Sequence, residues 1–546
     1  LQGRIDWNAV QREGQSHTVS LRLNGSNSDE DSTRINALDL TQHGGQVEGD
    51  NWAGAVTINS RIGANWTNAL TTSFNESWNE SLPYLTIPEG RVLVTSELED
   101  ATRSTRSLIF GGNRSMPSDT YRKGLQLSND LSFLLPIGSQ LHRFKVGGML
   151  QKSRSVNQST SNIFGSFVFN SIEELEQNAP VRFERTLAGA FERIGALNAG
   201  LYIGDTWRVT EPFELTAGIR WDYTRVDQTP AYNPAVEAAF GRRNNIEPKA
   251  ATITPRIGFT YRLAASEGQR SARTLTGGLG LFAGQTPTNV FAAAARQTGL
   301  SGAEERLVCI GSATPVPDWD AYMLDPASIP LTCADGGTGS TLSSRLPTVS
   351  LINPDQKMPT SLRAELGYRT RLPLNLNGNF RYSYSHGFGL WGYYDLNLDE
   401  SQVTTIATEG RPFFGNPSAI VSGSGQTTLA SSRLHSEFGN VFDIRADRES
   451  SAHQLTTQVS GQMPKNITVS ANYTLSFARD QGSGSFFAAP TSGSPNRVEW
   501  APSGQDRRHT LNLTLAKAFT PEIEVTAIAR LTSGAPFTPM VGDDVN

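Results

Sequence analysis

The residues with the most chemical potential are arginines set at alternating positions of otherwise uncharged stretches. Arg220, Arg256, Arg363, Arg369 and Arg381 are the clearest, with Arg208, Arg262, Arg371 and Arg530 in similar settings and Asp222 and Glu365 among them. A guanidinium is always charged and offers five donors in a fixed fork. A row of them suits either anionic cargo or the docking of a polar segment. Nucleophilic catalysis would instead need a nucleophile within reach of a base. The sequence holds no G-x-S-x-G, P-loop, H-E-x-x-H or C-x-x-C pattern, and its 7 histidines are dispersed. No catalytic residue, metal set or cofactor is therefore assigned, and no enzyme activity is expected. Gly277-Gly278-Leu279-Gly280 imitates a phosphate loop. It lies inside a strand pattern with no helix after it, so its glycines read as points of close packing or bending.

The only two cysteines, Cys309 and Cys333, fall in one long polar stretch. A bond between them would close a loop of about 25 residues and contribute roughly 3–4 kcal/mol in the chain-entropy model. Aromatic clusters stand in the same kind of stretch: Trp319 with Tyr322, Trp391 with Tyr393 and Tyr394, and Phe413 with Phe414. Rings exposed there would stack on sugars, chelates or peptides; the alternative is that they pack loop against loop. Asp543, Asp544 and Asn546 look like the opening of an acidic calcium loop, without its remaining ligands.

The elements that must position these residues are strands. Phe213, Leu215, Ala217, Ile219, Trp221 and Tyr223 alternate with Glu214, Thr216, Gly218, Arg220 and Asp222. Successive side chains of a strand point to opposite faces, so the segment separates an apolar face from a charged one. The pattern recurs around Leu362–Leu372, Leu376–Tyr384, Ile467–Phe477 and Leu511–Leu515. We expect roughly 16 to 19 such strands, mostly about 9 to 13 residues long. A tilted membrane-spanning strand needs about 9 to 11. Short links carry proline or a tight polar turn, as at Glu211-Pro212, Pro373 and Met463-Pro464-Lys465. Long Gly/Ser/Asn/Pro-rich stretches separate the hairpins over residues 227–251, 285–359, 386–451 and 480–505. Two short helices are expected, confined to loops, over Asn289–Gln297 and Ile172–Gln177. Short turns at one rim and long loops at the other are how outer-membrane barrels are built.

Composition sets the bounds. The chain has 546 residues, 18% charged, with a net charge of −5. That argues against a nucleic-acid partner, which would call for a basic face. Mean hydropathy is −0.35, and no run of about 18 apolar residues occurs, so no transmembrane helix is expected. A membrane barrel survives this test, because its strands alternate and average out as polar. The reading is all-β: one large antiparallel up-and-down transmembrane barrel over residues 1–546. Its apolar face would meet lipid and its charged face would need water or a polar plug.

At this point specific stretches become informative. LYIGDTWRV at 201–209 followed by LTAGIRWD at 215–222 resembles a hairpin of TonB-dependent outer-membrane receptors, best matched in the Oar-like and SusC-like group. TPRIGFTY at 254–261, GGLGLF at 277–282, and DRRHTLNL at 506–513 with LTSGAPFT at 531–538 resemble three later stretches of the same family, in the same order. The resemblance implies location in the bacterial outer membrane and gated uptake of a bulky nutrient: a siderophore, oligosaccharide or peptide. It also implies a plug domain within the barrel and a TonB complex as partner, with no cofactor. Strand-like Gly3–Trp7 at the start and the lack of a terminal aromatic strand lead us to expect a barrel piece without its plug or last strands. The rival readings are an ungated porin-like channel and a carbohydrate-binding β protein that transports nothing.

Overall fold

The computed structural model describes residues 1–537 apart from 34–37, 98–102, 160, 188–189, 264–272, 285–287, 301–305, 335–342, 345, 402, 406–409, 411, 420–431 and 483–492. The acidic triplet Asp543, Asp544 and Asn546 lies outside these residues.

The architecture is nearly all β. One large sheet begins with β1 (Gln2–Arg12), β2 (Gln15–Thr33), β3 (Gly45–Ile62) and β4 (Trp66–Pro83). It continues through β5 (Ser118–Ile137), β6 (Gln140–Ser159), β7 (Ala190–Thr210) and β8 (Phe213–Val226). Then come β9 (Lys249–Leu263), β10 (Arg273–Ala283), β11 (Thr360–Leu372) and β12 (Leu376–Asp395). It ends with β13 (Val441–Met463), β14 (Ile467–Asp480), β15 (His509–Ala518) and β16 (Glu524–Thr532). Each strand pairs antiparallel with the next. Among the described residues no pairing joins β1 to β16, so the sheet is open.

One rim carries tight turns at residues 13–14, 63–65, 138–139, 211–212, 373–375, 464–466 and 519–523. Gly14, Gly63 and Gly138 hold φ between 61° and 76° there, a region glycine enters without a steric penalty. The expected short links are all at this rim. The other rim carries the long connections.

Register fixes the two faces. Tyr202 stands opposite Arg220, which stands opposite Thr254; Gly280 stands opposite both Arg256 and Arg363. These residues share one face. The other face carries Leu201, Ile203, Ile219, Ile257 and Leu279, each 47–60% exposed. In water such a surface would forfeit about 25 cal/mol for every Å² left unburied. Against hydrocarbon the cost vanishes, and the alternation becomes the stable arrangement.

Near the short-turn rim this apolar face bears a belt of rings. Trp66 stacks on Phe133 at 4.8 Å, Phe133 on Phe144 at 5.4 Å, and His142 on Trp207 at 5.4 Å. Phe213 with Phe259 and Tyr261 carries the belt onward. Trp221 and Tyr223 stack at 6.0 Å farther up the same face. Flat amphipathic rings suit the two headgroup levels.

Several wall strands exceed the expected 9 to 13 residues; β7 has 21 and β13 has 23. The stretch 386–451, expected to be connection, is the main correction. β12 runs on to Asp395 and β13 begins at Val441, paired as Trp391 with Ala446 and Tyr393 with Ile444. The period is masked there by a bulge between Gly387 and Leu390 and by glycines. Gly392 is one that the pairing requires, since a Cβ there would lie 2.3 Å from Arg448 Nε.

The connections also build a second sheet; its strands within 285–359 fall where a loop was expected, and the others lie in connections to which no structure had been assigned. Its strands are Arg103–Gly111, Glu89–Glu97, Ser166–Phe169, Arg182–Thr186, Arg306–Ile310 and Ser343–Ser344. Phe167, Phe169, Phe183, Leu307 and Cys309 point into one buried core. Cys309 is joined to Cys333 inside that core. Short helices punctuate this layer. α1 (Ile172–Glu176) is capped by Ser171, whose side chain accepts from the Glu174 N–H. α2 (Pro234–Phe240) is capped by Asn233 and stopped by Gly241 at φ 64°. α3 (Thr288–Arg296) lies one residue before its expected start, and α4 (Trp319–Leu324) is capped by Asp318. Serine, asparagine and aspartate accept from the free N–H groups of a first turn.

Candidate functional site

The arginine-bearing face of β6 to β9 forms a groove of about 700 Å³. Arg143, Lys145, Tyr202, Arg220 and Arg256 line it, and Gly204, Gly218 and Gly258 lie along it. Gly204 is opposite Gly218, and Gly258 is opposite Gly278. Four positions without a Cβ leave the backbone bare, so a partner can approach the wall closely.

Other glycines make room for the cations. A Cβ at Gly200 would lie 2.4 Å from Arg220 Nη2, and one at Gly280 would lie 2.9 Å from Arg256 Cγ. Gly277, on the opposite face, similarly admits the Phe259 ring. The GGLG stretch is therefore a packing device, as its strand setting suggested.

Arg220 donates to both Asp222 oxygens at 2.8 and 2.9 Å and lies 5.9 Å from the Tyr202 ring centre. Lys145 sits over the same ring at 5.6 Å. Arg256 and Arg363 flank Phe282 at 4.2 and 5.2 Å. Neither has a carboxylate within ion-pair distance among the described residues; Arg256 donates to the Leu281 carbonyl and Arg363 to Ser361 Oγ. Arg381 pairs with Glu365 at 3.3 Å. Arg369 shares this face, opposite Thr274 and Asn379. The groove thus presents cations backed by aromatic rings, which attract them through the ring quadrupole.

The outer end of this face is roofed. Val290, Phe291, Ala292 and Ala294 of α3 pack on Ile194 and Val226, which share the parity of Tyr202 and Arg220. The same helix meets Trp391, Ile444 and Ala446 of β12 and β13. The long connection after β10 therefore folds back across the arginine-bearing face.

This packing decides where the aromatic candidates sit. Trp391 is 3% exposed and meets Phe291 edge-on at 5.2 Å. Tyr393 joins that cluster. Trp319 and Tyr322 belong to the loop core around Phe167. Phe413 and Phe414 are buried in a small hairpin with residues 403–405. Tyr394 differs from the rest. Its hydroxyl donates to Asp447 at 3.0 Å, and Arg445 and Arg448 lie over its ring at 4.2 and 4.7 Å.

Sequence reading did not single out Lys145, Tyr202 or Phe282 as site residues, nor the glycines other than those of Gly277-Gly278-Leu279-Gly280. The signal was available: Gly200, Gly204, Gly218, Gly258, Gly278 and Gly280 all fall on the polar side of the alternation that locates Arg220. Buried ion pairs at the adjoining ends of β12 and β13 were also missed. Asp443 is fully buried and bound by Arg242 and Arg445, and Asp395 is bound by Arg433 at 2.6 Å. Their partners lie 38 to 201 residues apart in sequence, except Arg445, which is two residues from Asp443 on the same face of β13.

Comparison with known proteins follows the same lines. A family model for an outer membrane beta barrel domain matches residues 1–546. No curated protein matches the sequence. Among solved structures, the fold is similar to the outer membrane transporter YddB of Escherichia coli, at 12% identity and TM-score 0.52, over 94% of this chain and 54% of that one. It is also similar to two siderophore receptors of Acinetobacter baumannii. PiuA matches at 11% identity and TM-score 0.50, over 97% of this chain and 63% of that one. PirA matches at 12% identity and TM-score 0.50, over 98% and 59%. At these identities the likeness is one of fold. The chain spans 54–63% of the length of these three structures.

Proposed function

The chain belongs to the outer membrane beta barrel domain family and resides in the bacterial outer membrane, and from that premise we propose that it forms the wall of a TonB-dependent receptor importing a bulky nutrient. The observation that carries this reading is the cationic, glycine-lined inner groove beneath a roof of inward-folded loop. Charges such as Arg256 and Arg363 need water or a polar partner, since an unpaired charge in an apolar setting is very costly. In this reading the partner is a plug domain, docked on Arg220, Arg256, Arg363, Arg369 and Arg381. Bare glycines let the plug backbone lie close to the wall. The roof is the gate through which cargo reaches the plug, and Tyr394 with its two arginines faces incoming cargo. The motif resemblance to Oar-like and SusC-like receptors supports the same assignment.

The cargo classes are iron chelates, oligosaccharides and peptides; two structures of similar fold are siderophore receptors. Uptake of labelled members of each class by cells expressing the full-length protein tests the reading. Accumulation that is lost when the TonB complex is deleted is expected. Passage of small solutes that is indifferent to TonB would make the protein a porin and overturn the reading.

A further inference from the structure

The loop layer contains a second polar cavity, of about 330 Å³, on the face of the six-stranded sheet opposite its apolar core. Sheet register builds it. Arg91 stands opposite Val168, and Val168 stands opposite Arg182, so two arginines flank one valine in a row across three strands. One row along, Glu89 and Glu184 flank Ser166 in the same way. Neighbouring strands lie about 4.8 Å apart, so each like-charged pair is separated by roughly twice that, near the spacing of groups that grip one small molecule. Arg306 enters from the next strand and Arg114 from the segment after the hairpin.

Both carboxylates are already engaged. Glu89 is 2% exposed and accepts from Arg91 Nη2 and from the Arg114 backbone N–H, each at 3.2 Å. Glu184 is 5% exposed and accepts from Arg306 Nη2 at 2.7 Å and from Arg182. The Arg114 side chain is half-buried, and no carboxylate lies within ion-pair distance of its guanidinium among the described residues. Burial lowers its pKa, Glu89 opposes that shift, and Arg91 and Arg306 add to it. Burial leaves this guanidinium partly desolvated; the Glu89 carboxylate attracts it, while Arg91 and Arg306 repel it. An anion would offset the desolvation and the repulsion.

We propose that Arg114 and Arg91, with Arg182 and Arg306 beside them, bind a small dianion presenting paired oxygens, of the phosphate or dicarboxylate type. Guanidinium forks meet such oxygens two at a time, and charge-assisted bonds of this kind are about twice as strong as neutral ones. Val168 between the arginines and Ser166 between the glutamates leave the floor shallow enough for the ligand to reach both sides. The site stands apart from the inner groove and does not depend on what the barrel imports.

Titration calorimetry on the full chain in detergent tests this, with inorganic phosphate and succinate as probes and acetate as the singly charged control. Saturable binding of phosphate or succinate is expected, with acetate weaker. Arg114→Gln should weaken it at least about tenfold, and Arg91→Lys, which keeps charge but loses the fork, should weaken it less. Arg103→Gln, at the exposed edge of the same sheet, should leave it unchanged. Unaltered protease resistance of the loop layer shows that each variant is folded. Absence of saturable binding by either dianion below concentrations on the order of 10 mM would overturn the site, as would equal affinity in folded Arg114→Gln and Arg91→Lys variants.

Discussion

The wall and the loop layer are both mainly antiparallel sheets, yet they hide their rings in opposite directions. In the wall, Trp66, Trp207, Phe213 and Trp221 stand on the outer face, where lipid supplies their apolar partner. In the loop layer, Phe167, Phe169 and Phe183 are wholly buried in a core of the kind a small water-soluble domain makes. The wall needs almost no core, because backbone pairing and lipid hold it. The loop layer has no lipid, so a few fully buried side chains and one disulfide must hold it. Equivalent substitutions should therefore act very differently in the two regions.

The largest contrast is expected from cavities. Phe183 is fully buried and lies 4.4 Å from the Phe167 ring. Phe183→Ala should destabilise the loop layer by about 3–5 kcal/mol and open it to trypsin, while heat-modifiable migration of the barrel persists. Ile203→Ala on the wall, already 48% exposed, leaves no protein cavity and should produce neither effect. Next is the disulfide, which joins residues 24 apart. Replacing Cys309 and Cys333 together by serine should cost the loop layer roughly 3 kcal/mol, seen as faster proteolysis with unchanged barrel migration.

The comparison reverses for charge. Ile219→Arg places a cation on the lipid face and should cost the barrel about 2–4 kcal/mol near the bilayer midplane, measured by urea-driven unfolding from lipid vesicles. The loop layer should be indifferent to it. The smallest effect is expected at Gly200→Ala. Its new Cβ would meet Arg220 Nη2 at 2.4 Å and push that flexible guanidinium off Asp222. The cost should be on the order of 1 kcal/mol in the same unfolding measurement.

The same contrast explains what the sequence made legible. The wall writes itself in a two-residue period because each strand has lipid on one side and polar surroundings on the other. Phe213–Tyr223 could be assigned residue by residue, and proline and glycine turns marked the rim. The helix expected at Asn289 was legible from its alanine run; the one expected at Ile172 is held by a Ser171 cap that the structure reveals. The loop layer carries no such period. Its strand Ser166–Phe169 has four residues, and its partners come from connections far apart in the chain. Only tertiary contact tells Trp319 or Trp391 that it is a core residue rather than an exposed ring. The charged inner face was legible through its arginines. The groove was legible only in part: single glycines on the polar side could be read, but that Gly204 faces Gly218 and Gly258 faces Gly278 appears only when neighbouring strands are set in register.

Alternation in β8 is the most direct point of attack on the whole account. Single cysteines at 216, 218 and 220, and at 217, 219 and 221, can be introduced into a variant lacking Cys309 and Cys333, then labelled in outer-membrane vesicles with a water-soluble maleimide and with a lipid-soluble one. The even positions should react with the water-soluble reagent, and the odd positions only with the lipid-soluble one. Equal labelling of both sets by the water-soluble reagent would mean that no lipid covers the apolar face, and the membrane barrel would be contradicted.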